Sequence, residues 1–62
     1  MDIYEEALRA LKRDKRSPGK LEPELKVPAE TIRDIKTGKA KIGNLRFRTL
    51  RKVRAWHERE AA

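Results

Sequence analysis

Two sets of side chains in this chain are equipped for chemistry, and both act by contact. The first is a set of cations. Residues 33–62 hold ten Lys/Arg against three Asp/Glu, whereas residues 1–32 hold seven of each, so the whole net charge of +7 sits in the C-terminal half. A localised cationic field attracts polyanions, nucleic acid first and anionic membrane second. The plain alternative is a lysine-rich surface that only keeps the chain soluble. The second set is a polar helix face. In PAETIRDIKT, residues 28–37, a rotation of about 100° per residue puts Ile32 and Ile35 on one side and Glu30, Arg33, Asp34 and Thr37 on the other. The apolar side can anchor such a helix while the outward side reads or contacts something.

Other chemistries lack their parts. There is no cysteine, hence no disulfide and no thiolate metal site, and the one histidine cannot hold a metal alone. The lone serine, Ser17, lies in a turn and has the look of a cap. No serine–histidine pair, paired acids or phosphate-cradling glycine loop can be assembled, so an enzyme is not expected, and no cofactor or small-molecule substrate is implied. No apolar run is long enough to span a membrane. The acidic start MDIYEEALRA is unlike a signal peptide, and a cytoplasmic protein is the expectation.

The elements that must position these groups are helical. With 62 residues the expectation is one domain, residues 1–62, with a small core. DIYEEALRALKR, residues 2–13, predicts a helix capped by Asp2, with Ile3, Tyr4, Ala7, Leu8 and Leu11 as its apolar stripe. DKRSPGK is a turn. In LEPELK, Pro23 falls where a helix begun at Ser17 would need an amide hydrogen. A short helix from about Glu22 to Lys26 is therefore expected, with Leu21, Leu25 and Val27 inward. Residues 28–37 form the next helix, stopped by Gly38. KAKIGNLR, residues 39–46, reads as a basic loop with a Gly43-Asn44 turn signal. Residues 46–60 predict a last helix with Leu50 and Val53 inward, Phe47, Trp56 and His57 close to that side, and a frayed end. The fold class expected is all-α, a bundle of about four helices.

A helix that reads DNA needs an anchored inner face, small or hydrogen-bonding side chains in its first turns, and flanking cations. Residues 28–46 offer all three. The segment VPAETIRDIKTGKAK, residues 27–41, resembles the phage Cro and repressor type of helix-turn-helix DNA-binding domain. That family's segment typically reads Val, a cap residue, three variable positions, Ile, two variable positions, Leu or Ile, two more, Gly, then basic residues. FRTLRKV, residues 47–53, is similar to the helix that follows it in the family. The likeness covers about residues 20–57. Upstream the chain departs from the pattern: LEPELKV is about three residues short, holds a proline, and has Lys26 in the usual glycine place. The resemblance implies a lambda-repressor-like bundle with a shortened first motif helix.

It also implies roles. Ala29, Glu30 and Arg33 stand where the family reads base edges: Arg33 to guanine, Glu30 to cytosine N4, Ala29 to a thymine methyl. Thr37, Lys39, Lys41 and Arg46 stand where it meets the DNA backbone. Pro28 replaces a hydrogen-bonding cap and so removes one usual phosphate contact. Each role has a duller competitor. Arg33 as a partner of Glu30 or Thr37, Glu30 as a servant of the helix dipole, and Lys39 and Lys41 as ordinary loop lysines all fit the sequence. Trp56 reads as a core plug or a dimer contact, and His57 as a packed side chain or a pH switch.

The function implied is sequence-specific binding of double-stranded DNA by a small transcriptional regulator, phage-like, acting by occupancy. A homodimer is expected, because one short helix reads only a few base pairs. Two other classes remain. An RNA-binding or ribosome-associated protein fits the charge but has few aromatics for base stacking. An antitoxin-like protein-interaction module would need apolar surface beyond the core, for which Tyr4 and Trp56 are the candidates.

Overall fold

The computed structural model describes residues 2–61. Four helices, α1 (Ile3–Arg13), α2 (Pro18–Leu25), α3 (Ala29–Thr37) and α4 (Phe47–Ala61), account for most of the chain, with one 3-10 turn at Ile42–Asn44. No strand occurs among the described residues. The chain is a small all-α bundle, and none of its helices is long and apolar enough to cross a membrane.

Each helix forms where apolar periodicity and end chemistry agree. The Asp2 carboxylate accepts the Tyr4 amide at 2.7 Å and so caps α1. At the other end the Lys36 ammonium donates to the Leu11 carbonyl at 3.3 Å and to the Asp14 carbonyl, reaching across from α3. These are carbonyls of the last turn, where a cation also suits the helix dipole. Gly38 ends α3 at φ +84°, a left-handed backbone that glycine adopts without penalty. The Ala40 amide then folds back onto the Asp34 carbonyl at 3.0 Å.

The core lies where α1 crosses α3 and α4 and where α2 packs on α3 and α4. Leu11, Leu21, Leu25, Val27, Ile32, Ile35 and Val53 are its fully enclosed side chains, with Ala7, Leu8, Leu50 and Trp56 around them. Burying each Leu, Ile or Val is worth roughly 1.5–3 kcal/mol. Trp56 is 2% exposed, which makes it a core plug and takes it out of contention as a surface contact. The Arg16 guanidinium lies 5.9 Å from the centroid of its ring, while its indole N–H finds no acceptor among the described residues.

Three expectations are corrected. The second helix starts at Pro18 and runs eight residues, rather than starting near Glu22. Pro23 costs it the hydrogen bond to the Gly19 carbonyl, but Leu21 and Leu25, one turn apart, are both buried, and their packing outweighs one missing bond. Ser17 stands at the cap position, as expected, and its carbonyl takes the Lys20 and Leu21 amides at 3.0 and 3.1 Å, with no capping bond from its hydroxyl. Ile3, expected in the apolar stripe of α1, and Phe47, expected close to the inward side of α4, are 49% and 60% exposed, each at the start of its helix. The C-terminal turn stays helical to Ala61: Arg59 donates to the Glu24 carbonyl at 2.8 Å and Glu60 accepts from Arg16 at 2.7 Å. Ala62, the last residue expected to fray, lies outside the described residues.

Candidate nucleic-acid interface

The site is built around α3. Ile32 and Ile35 are fully buried and fix the rotation of the helix, which leaves Glu30, Arg33 and Thr37 exposed and Ala29 half-buried at the first turn. A three-residue link, Lys26-Val27-Pro28, joins α2 to α3. Lys26 adopts φ +60°, ψ +39°, the left-handed conformation for which glycine is better suited, and Val27 is buried behind it. Pro28 begins α3 without a side-chain cap, so the amides of its first turn carry no capping partner.

The predicted side chains fare differently. Arg33 and Glu30 make no ion pair among the described residues. Thr37 donates its hydroxyl to the Asp34 carbonyl at 3.3 Å, which spends its proton inside the helix and leaves the oxygen only lone pairs to offer. Lys36 is drawn away to the end of α1, so it adds nothing to this face.

The cations that follow α3 do not stay together. Lys39 is exposed directly after Gly38. Lys41 sits across a shallow cleft from Glu5, Arg9 and Lys12 of α1. Arg46, though it follows both in sequence, is carried by the 3-10 turn to the other end of α3. There it lines a second cleft with Lys26, Arg48 and Lys52, alongside Thr31 and Thr49. Cations therefore flank both ends of α3. The roles of Lys26, Arg48 and Lys52 were not read from the sequence. The available signal was the four-residue spacing of Arg48 and Lys52, which puts both on one side of α4.

A separate network stiffens the base of the site. Arg16 clasps Asp14 through Nε to Oδ1 at 3.0 Å and through its terminal nitrogen to Oδ2 at 2.7 Å, and reaches Glu60 of α4 at 2.7 Å. These bonds hold the Asp14 carboxyl down to about 2, against the opposing effect of its burial; the Arg16 amide and charge and the Lys36 charge act in the same direction as the bonds. His57 is half-buried, its Nε2 3.9 Å from a Glu6 carboxylate oxygen. No group of His, Asp and Glu suited to a metal ion occurs among the described residues.

Comparison of the chain with known protein families, with characterised proteins and with solved structures finds no match.

Proposed function

We propose that this protein binds double-stranded DNA in a sequence-dependent way, by laying the outward face of α3 in the major groove, and that it regulates transcription by occupying its site. One observation carries the reading: Arg33 and Glu30 project unpaired from a short helix whose opposite face is locked by Ile32 and Ile35, with cations at both ends of it. The two short helices α2 and α3, joined by a three-residue turn, suit a helix-turn-helix reading. It agrees with the Cro and repressor resemblance that the residues of α3 suggest. No step in the reading is catalytic.

In this reading Arg33 takes guanine O6 and N7, and Ala29 and Glu30 meet neighbouring bases. Lys39, Lys41 and Arg46 meet phosphates. Selection from random duplex DNA tests it. The wild type should enrich a short, defined sequence, and Arg33→Ala should relax one base position at a cost of about 1–3 kcal/mol. Lys39→Ala should weaken all sequences alike. No enrichment, or Arg33→Ala with an unchanged preference, would remove Arg33 from its role.

The protein acts as a homodimer through the start of α1 and the start of α4. Ile3 and Phe47 are the large apolar side chains left exposed, and Phe47 meets Tyr4 edge-on at 5.7 Å. Asp2 and Glu5 are exposed close to Ile3 in the sequence, and the Arg51 guanidinium lies 5.8 Å from the centroid of the Phe47 ring. A second copy turned about a two-fold axis sets acid against base on both flanks of an apolar centre. The bundle is 28 Å across. A two-fold dimer on DNA calls for half-sites about 34–36 Å apart.

A further inference from the structure

The cleft between the start of α3 and the start of α4 is lined by cations. Lys26, Arg46, Arg48 and Lys52 line it together with Thr31 and Thr49, and no carboxylate does. The side chains of Arg46 and Arg48 make no ion pair among the described residues. The Lys52 ammonium donates to the Lys26 carbonyl at 2.9 Å, which occupies one of its three hydrogens. Four like charges round one hollow repel, and the bond from Lys52 to the end of α2 is the one contact there that offsets it among the described residues. Elsewhere the same chain does pair its cations: Arg16 has Asp14 and Glu60, and Arg54 has Glu58 at 2.8 Å. The cleft is thus a concentration of positive charge without an internal partner.

We infer that this cleft is a phosphate-binding site, taking one phosphodiester of a nucleic-acid backbone. Arginine and lysine donors and two threonine hydroxyls suit tetrahedral, charge-bearing oxygens. The uncapped start of α3 adds the positive end of its dipole. The position also fits: the cleft ends at Pro28, so a phosphate held there lies one residue from Ala29 and two from Glu30. It fixes the register of α3 from its N-terminal end, as Lys39 does from the other. Where the cap replaced by Pro28 removes one phosphate contact, the cleft supplies another from different elements.

This assignment rests on the DNA reading above, and the test separates the two. Affinity for several unrelated duplexes is measured against salt for the wild type, Arg48→Gln and Arg33→Ala, and backbone amide shifts are followed with inorganic phosphate and with duplex DNA. Arg48→Gln should weaken every duplex about tenfold and flatten the salt slope by about 0.9, leaving the order of preference intact. The same variant should melt at a higher temperature than the wild type at low salt, since repulsion is relieved; that readout needs no DNA. Amides of Ala29, Thr31 and Thr49 should move with duplex. Arg48→Gln with unchanged affinity and slope, beside an Arg33→Ala that loses its preference, overturns the cleft and spares the DNA reading. If the wild type ignores duplex DNA yet inorganic phosphate still moves these amides, the nucleic-acid source is overturned and a small-anion site stands. Poly-glutamate that displaces duplex at matched charge would point to an acidic protein partner and overturn the phosphate assignment.

Discussion

Asp14 shows how much one surface turn can contribute at residue scale. Its carboxylate accepts from one edge of the Arg16 guanidinium, Nε and a terminal nitrogen, and the Arg16 amide donates to it at 2.9 Å. The carboxyl is held down to about 2 from the ordinary 3.8. A carboxyl depressed on folding stabilises the native state above its unfolded pKa. That contribution is lost as pH falls from about 4 through about 2. Half-exposed pairs are screened by water, so the expected size is about 1–2 kcal/mol at neutral pH. Denaturant titrations at pH 7 and near pH 2 should show Asp14→Asn less stable than the wild type at the first and level with it at the second. Equal stability of the two proteins at pH 7 would show that the clasp adds nothing. The Asp14–Arg16–Glu60 chain was not legible in the sequence, because Arg16 and Glu60 are 44 residues apart and meet only when α4 crosses the first turn.

Among the elements, α2 is the one whose local chemistry and whose structure disagree. Proline inside a helix lacks the amide hydrogen and costs about 3 kcal/mol relative to alanine. The local rule therefore favours a late start at Glu22. Leu21 and Leu25 decide otherwise, since both sit in the core only if the helix already exists at Leu21. Pro23 itself is exposed, so replacing it disturbs no packing. Pro23→Ala should raise the unfolding free energy by about 1–3 kcal/mol, read from urea denaturation with an unchanged m-value. A destabilised Pro23→Ala would show that the ring has a packing role. By contrast α1, α3 and α4 were readable within a residue or two, because Asp2, Gly38 and the Ile32–Ile35 and Leu50–Val53 spacings agree with their final environment.

For the whole molecule, the exposed Phe47 sets the prediction. Sedimentation equilibrium should detect a concentration-dependent dimer. Phe47→Ser should weaken it at least about tenfold while leaving the helical circular-dichroism signal intact, since a 60% exposed side chain contributes little to the core. Dimerisation that ignores this change would move the interface off the α1–α4 corner. The lopsided charge also acts at this scale. Its excess in residues 33–62 is spread over both ends of α3 and along α4, so the molecule presents a broad positive surface rather than one basic loop.

Periodicity, caps and composition, read alone, determined that this chain is helical, which side of each of three helices is buried, where α3 stops, and which half carries the charge. These are local properties: they depend on residues three or four positions apart, and 3.6 residues per turn is enough to place them. The tertiary structure alone decided which cations share a hollow, that Arg46 parts from Lys41, that Lys36 closes the end of α1, and that Phe47 stays in solvent. Those outcomes depend on the crossing of helices far apart in the chain. No spacing rule along one helix reports the distance to another.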